Sequence, residues 1–226
     1  MTPVGITLSP GRPGAGLPQG EERPAPGRIG PNALIQTARA LEARYGADEA
    51  RRILRLCGMD ILMEEDPQGM RDEGEFLSLV TFLTGLLPSE ELRAVLHDSG
   101  RRTGAYVLRH RIPGPVKLLV RPLPRKLRLR LLLEAIRRHA WTFAGSGSYR
   151  FRMGDRPLVS LRHGAPAQRV PSTEPLHAYY RGAFEELLRA MVAPTTELEE
   201  TDAFGVCRRD GVDFHIRFPT DERNTR

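Results

Sequence analysis

The sequence predicts an α+β fold, an antiparallel sheet covered by helices on one face. Three observations predict it. Apolar residues recur at three-and-four spacing between Leu34 and Ala140 and again after Pro175; they alternate with polar residues from Tyr149 and from Val212; and the alternating runs adjoin Gly154-Asp155 and Asp210-Gly211, dipeptides that turn the chain back on itself. Helices precede most of the strands, which is the order of an α+β chain.

Gly30-Pro31-Asn32 leads into a first helix with Leu34, Ile35, Ala38, Leu41 and Tyr45 on one face and Asn32 as its N-cap. A second helix after Gly46 carries Ala50, Ile53, Leu54 and Cys57, and a third, from about Glu75, carries Phe76, Leu79, Val80 and Leu83. Ser89 and the acids after it open a fourth, whose face runs from Leu92 through Leu96 and Thr103 to Tyr106, Val107 and His110 before Pro113 and Pro115 stop it. Pro124 introduces a basic helix with Leu129, Leu132, Leu133, Ile136 and Ala140 on its packing face. Tyr149, Phe151 and Met153 then alternate and return through Leu158 to Leu161 as a hairpin. A helix from about Pro175 follows, and a second hairpin closes the chain with Val212, Phe214, Ile216 and Phe218 alternating.

With 226 residues and 40% hydrophobic content, the chain can bury one full core. Residues 1–27 hold six prolines and six glycines without apolar periodicity and are expected to be a disordered tail; 28–218 are expected to form one folded domain, and 219–226 a second disordered tail. The chain lacks a run of eighteen apolar residues and an apolar N-terminal stretch, so a cytoplasmic protein is expected. Cys57 and Cys207 are too few for a disulfide framework or a four-thiolate cluster.

The net charge of +6 is unevenly spread. Twelve Lys or Arg and a single acid, Glu134, lie between Arg101 and Arg138, while the rest of the chain is net negative. Such a concentration is the footprint of an anionic partner, or else a solvated helix face. Nucleic acid is not expected, because the basic helix carries no interleaved aromatics and no recognition motif accompanies it. No redox cofactor is recognisable: Gly145-Ser146-Gly147 lacks the third glycine of a dinucleotide fingerprint and follows a helix where that motif needs a strand. The six histidines show no metal-ligand spacing, so no metal and no catalytic residue is assigned.

Three stretches resemble the bacteriochlorophyll 4-vinyl reductase family: Gly27-Arg28-Ile29-Gly30-Pro31-Asn32-Ala33-Leu34-Ile35-Gln36; Gly100-Arg101-Arg102-Thr103 with His110-Arg111-Ile112-Pro113; and His139-Ala140-Trp141-Thr142-Phe143-Ala144-Gly145-Ser146-Gly147. With the matching order of elements, the similarity covers Arg28 to Phe218. The resemblance implies a small-ligand-binding fold shared with sensor domains, similar to subunits of vesicle-tethering complexes and often a homodimer. It also implies a place in bacteriochlorophyll synthesis beside the other enzymes of that route, reducing the 8-vinyl (old 4-vinyl) group of a divinyl precursor. Family members often carry two cysteines near the C-terminus; Cys207 matches the first, and no cysteine follows Gly211.

Because the resemblance names a reductase and the sequence shows no cofactor signature, the expected role is to bind the tetrapyrrole (a Mg-porphyrin, protochlorophyllide or chlorophyllide) and support its reduction as carrier or accessory. The alternative is an autonomous divinyl protochlorophyllide 8-vinyl reductase with an unrecognised cofactor site. A planar macrocycle needs an apolar slot and a cation for its carboxylate. Trp141 and Phe143 are candidates for the slot, with Gly145 and Gly147 allowing close approach; an arginine among Arg101, Arg102, Arg137 and Arg138 is the candidate for the carboxylate, and His139 for an axial nitrogen on the magnesium. Each has a plainer reading as a core aromatic, a turn glycine, a solvated cation or a helix-end histidine. The basic helix is further expected to dock electrostatically on an anionic photosynthetic membrane or an acidic partner through Arg125, Lys126, Arg128 and Arg130, with its apolar stripe kept for packing.

Overall fold

The computed structural model describes residues 27–201 and 209–219; the expected N-terminal tail up to Pro26, Cys207 and residues 220–226 lie outside the described residues. Strand β1 (Arg28–Ile29) leads into α1 (Asn32–Tyr45), and α2 (Ala47–Leu56) follows at once. Gly46 makes the sharp junction at φ +85°, a conformation that glycine adopts without steric cost. Asn32 is not the N-cap that its residue type predicts. Pro31 holds the cap position, its φ of −66° being already helical, and its carbonyl accepts the amides of Leu34 and Ile35. Cys57, at the end of α2, is a free, half-buried thiol whose pKa burial pushes up.

Strand β2 (Arg71–Asp72) pairs antiparallel with β1 and runs into α3 (Glu73–Leu86). This helix starts two residues earlier than the apolar pattern predicts, because Asp72 caps it by accepting the Gly74 amide at 2.7 Å. Next comes α4 (Ser89–His110), the longest element. Its buried stripe runs through Leu92, Val95 and Leu96 but continues in small residues, Ser99, Gly100 and Gly104. The outer members of the predicted face emerge from the core, with His110 exposed and its ring stacked on Tyr106.

Pro113 ends α4 as predicted, but the chain then forms a short helix that periodicity does not reveal, α5 (Gly114–Val120), which buries none of its residues. Basic helix α6 (Arg125–Arg138) follows and buries Leu129, Leu132, Leu133 and Ile136. The predicted hairpin is formed by β3 (Ser148–Arg152) and β4 (Leu158–Arg162), with Tyr149 opposite Leu161. After the single-turn α7 (Ala165–Gln168) comes α8 (Glu174–Met191), then β5 (Glu197–Glu200) and β6 (Gly211–Arg217). The sheet order is β3-β4-β6-β5, antiparallel throughout. The Asp210-Gly211 turn does not itself close a tight hairpin: β6 pairs with β5, on the far side of residues 202–208, and with β4 on its other edge.

The fold is α+β, as the sequence predicts. One apolar cluster lies among α1 to α4 and the start of α8, with Leu34, Leu41, Leu54, Leu79 and Leu96 fully buried. A second joins α6 and the later half of α8 to the sheet through Val159, Leu161, Val212, Phe214 and Ile216. The apolar faces of α1 to α3 are thus covered by other helices, while the four-stranded sheet packs against α6 and α8. Contact between α4 and α8 links the two clusters. A Cβ at Gly100 would stand 1.9 Å from the Tyr179 carbonyl oxygen, and one at Gly182 would stand 2.1 Å from that of His97, so the two backbones touch. No helix among the described residues is long and apolar enough to cross a membrane.

Candidate functional site

Two stretches distant in sequence, 27–36 and 139–147, meet at the N-terminus of α3. The Gly30 amide donates to the Thr142 carbonyl at 2.7 Å, and the Glu73 amide donates to the Gly27 carbonyl at 2.9 Å. The buried Glu73 carboxylate accepts the Ser146 amide at 2.8 Å and the Ser146 hydroxyl at 2.5 Å. Standing in the first turn of its helix, this carboxylate also has the favourable sign for the helix dipole. Gly145 has φ +55°, and a Cβ there would lie 1.9 Å from Glu73 Oε2; a Cβ at Gly147 would lie 2.3 Å from the Arg162 carbonyl oxygen. Both glycines admit close approach by the protein's own groups.

Phe143, half-buried, sits in an aromatic cluster with ring centroids 5.9 Å from Tyr149, 6.0 Å from Phe184 and 6.4 Å from Tyr180. The Tyr149 hydroxyl is buried without a hydrogen-bond partner among the described residues, and burial together with the Glu134 charge pushes its pKa up. Trp141, two residues away, is 62% exposed. His139 closes α6 and is exposed; its carbonyl accepts the Thr142 hydroxyl at 2.7 Å. The four candidate arginines all meet acids: Arg101 lies 3.6 Å from Glu186, Arg102 2.7 Å from Asp98, and Arg137 and Arg138 2.6 and 3.4 Å from Glu134. The hydrogen bond from Arg137 outweighs desolvation and, with the charge of Arg138, holds the Glu134 carboxyl at about 2.

Among the described residues a different set of cations has no acidic partner. Where α6 begins, an open groove of about 650 Å³ lies between its first turn and the loop from α8 to β5. Pro124, Val192, Ala193 and Pro194 contribute apolar walls, and Arg125, Lys126 and Arg128 contribute charge. Among the described residues none of these three forms an ion pair. The Arg125 guanidinium lies 4.6 Å from the centre of the Phe218 ring, a cation–π contact, and the buried Nε of Arg128 has no hydrogen-bond partner among the described residues. A buried donor without a partner costs about 1–3 kcal/mol. The volume falls in the range of about 300–1,000 Å³ typical of small-molecule sites. The sequence pattern assigns these cations to surface docking, and helical spacing already sets them apart from Arg102, Arg137 and Arg138, whose acids stand three or four positions away.

A third constellation is not visible in the sequence. His163 and His177 are both buried, their rings stacked at 5.3 Å with Nε2 atoms 3.2 Å apart, and His177 Nδ1 lies 2.7 Å from Glu200 Oε1. Glu200 is placed to accept the His177 Nδ1 proton, and the two Nε2 atoms are within reach of one hydrogen bond whose donor depends on the tautomers. Burial, aided by the neighbouring His177, lowers the His163 pKa to about 4. The three residues are 14 and 23 positions apart, a spacing that carries no motif. Among the described residues no group of three His, Cys, Asp or Glu is placed to hold a metal ion.

No protein-family model matches the chain. Over 179 residues it is 35% identical to the bacteriochlorophyll synthase 23 kDa chain of Rhodobacter capsulatus, an overlap of 79% of this chain and 82% of that one. Over 175 residues it is 37% identical to the protein of the same name from Cereibacter sphaeroides, covering 77% and 83%. The chain belongs to the bacteriochlorophyll synthase 23 kDa chain family. This places the resemblance in bacteriochlorophyll synthesis at the level of the family, while neither relative is named for vinyl reduction. In this member of the 23 kDa chain family, the Glu73–Ser146 corner and the cationic groove are built from different elements, the first from α3 and residues 139–147, the second from α6 and the loop after α8.

Proposed function

We propose that this protein binds a carboxylate-bearing chlorophyll precursor and presents it for reduction of its 8-vinyl group, as a carrier or accessory chain in bacteriochlorophyll synthesis. The observation that carries the reading is the groove at the start of α6, where apolar walls stand beside three cations without acidic partners among the described residues. A macrocycle lying on Pro124, Val192 and Pro194 would place a propionate against the guanidinium of Arg125 or Arg128, which would donate charge-assisted hydrogen bonds. An open groove covers only part of such a ligand and leaves the rest to a partner enzyme. The relatives' designation as chains of a synthase supports work alongside other proteins of the same route. Residues 28–218 would form the binding unit, and a homodimer would use the side where Leu56 and Ile61 remain exposed. Sedimentation equilibrium at micromolar concentration reads the dimer, and a strictly monomeric mass discards it.

The deciding experiment mixes purified full-length protein with divinyl protochlorophyllide and a reduced nicotinamide cofactor. A shift of the pigment's absorption without turnover is the expected result. Conversion to the monovinyl product with no other protein present would replace this reading by that of an autonomous reductase.

A further inference from the structure

Helix α5 stands apart from every other α-helix described in burying none of its residues. Leu118 and Leu119 are 71% and 76% exposed, more than any other large apolar residue described. On the next helix, Leu127 and Leu131 sit one turn apart on the outward face, at 41% and 44%. A helix in water normally turns such residues inward, so these need another apolar phase.

The charge around them has one sign. Eight Lys or Arg lie from Arg109 to Arg130, and no Asp or Glu occurs between Ser99 and Leu133. None of the eight is in an ion pair among the described residues, whereas Arg101, Arg102, Arg137 and Arg138 on either side all meet acids. The acids that would neutralise the stretch are missing only where the leucines are bare.

We propose that α5 inserts its leucines into the surface of an anionic lipid bilayer, with the surrounding cations on the headgroups. A lipid interface offers negative charge and an apolar layer side by side over a flat surface, which suits a short helix whose bare leucines are ringed by cations. A second copy of the chain is a poor occupant, since a two-fold contact would bring the same positive patch against itself. This differs from docking by the charged face of α6 alone, which ionic strength would abolish; insertion leaves an apolar contribution that salt does not screen. The proposal does not rest on pigment binding, and each can fail without the other.

The test is flotation of the full chain with vesicles of phosphatidylcholine, with and without an equal share of phosphatidylglycerol. The chain is expected to float with the anionic vesicles, and the Leu118→Ser/Leu119→Ser double variant to lose affinity on the order of ten-fold per leucine or more. Its melting curve and its pigment spectrum should match the parent's, and Leu56→Ser, an exposed leucine on α2, should bind vesicles normally. As a second readout, Leu119→Trp in a Trp141→Phe background should show blue-shifted emission and quenching by brominated lipid. Failure of the full chain to float, undiminished flotation of the double serine variant, an equal loss from Leu56→Ser, or unshifted Leu119→Trp emission on bound vesicles would each overturn insertion. If only an acidic protein, and not the vesicles, captures the chain, the surface belongs to that class of partner and the lipid proposal is wrong.

Discussion

Glu73 and Ser146 are joined by two hydrogen bonds, amide and hydroxyl onto one buried carboxylate, across 73 positions of sequence. The pair ties the start of α3 to the loop between α6 and β3, and through the Gly27 carbonyl it also holds the entry to α1.

Removing the acceptor should therefore loosen three segments together. Glu73→Ala is expected to cost about 2–4 kcal/mol, since two bonds to a charged group are lost and the Ser146 amide is left unmatched; Glu73→Gln should cost roughly half as much. Gly145→Ala, forced to keep a positive φ with its Cβ against the same carboxylate, should cost about 1–3 kcal/mol. Chemical denaturation reads all three, and a Glu73→Ala change below about 0.5 kcal/mol would show that the tie is dispensable.

The α4–α8 crossing makes a second prediction. Gly100→Ala and Gly182→Ala must each push two backbones apart and should lower stability by about 1–3 kcal/mol. Gly85, late in α3, provides the contrast, because a Cβ added there would meet nothing within 4 Å. Gly85→Ala should be neutral or stabilise by about 0.5–1 kcal/mol through helix propensity. Equal effects at Gly85 and Gly100 would mean that the crossing is more yielding than its geometry indicates.

Acid should act in two steps. His163 titrates near 4 in the folded chain, against 6.5 for an ordinary histidine, so the unfolded chain takes up its proton first as pH falls. The stabilisation is complete above 6.5 and is lost progressively toward 4, amounting to roughly 3 kcal/mol. Glu185 follows in a lower window. Burial alone would raise its pKa, but hydrogen bonds from His97 and Arg181 and the charges of Arg181 and Arg189 hold it at about 2; its contribution is present above 4.5 and is lost as pH falls toward 2. In His163→Asn, the dependence of unfolding free energy on pH between 6.5 and 4 should flatten while the lower step persists. An unchanged upper limb would remove His163 as its source.

The groove can be separated from the other arginines by titrating pigment absorbance. Arg128→Gln is expected to weaken binding by about ten-fold or more, the worth of one charge-assisted hydrogen bond, and Arg125→Gln by less. Arg101→Gln and Arg137→Gln remove exposed guanidiniums already matched to acids, so they should change affinity little. The reverse ranking would move the carboxylate site to the arginines that the sequence pattern favours.

Helical faces and strand alternation are legible in the sequence because they depend on neighbours a few positions away. Leu129, Leu132, Leu133 and Ile136 lie on the buried side of α6, and Val212, Phe214 and Ile216 on the buried side of β6, as their spacing requires. The unforeseen α5 shows the limit of the same reasoning: a helix that buries nothing has no periodic face to betray it. Among the candidate site residues, the sequence marks out the stretch from His139 to Gly147 but not what it touches.

By itself, then, the sequence determined the class of fold, most element boundaries and the one-sided positive charge, all local properties of composition and spacing. Only the tertiary structure decided that Gly100 and Gly182 serve a helix crossing, that β6 lies between β4 and β5, and that Glu73 meets Ser146 while His163 meets His177. Those outcomes depend on distances between groups at least 14 positions apart, and such distances are set only when the chain packs into one interior and buried polar groups find partners there.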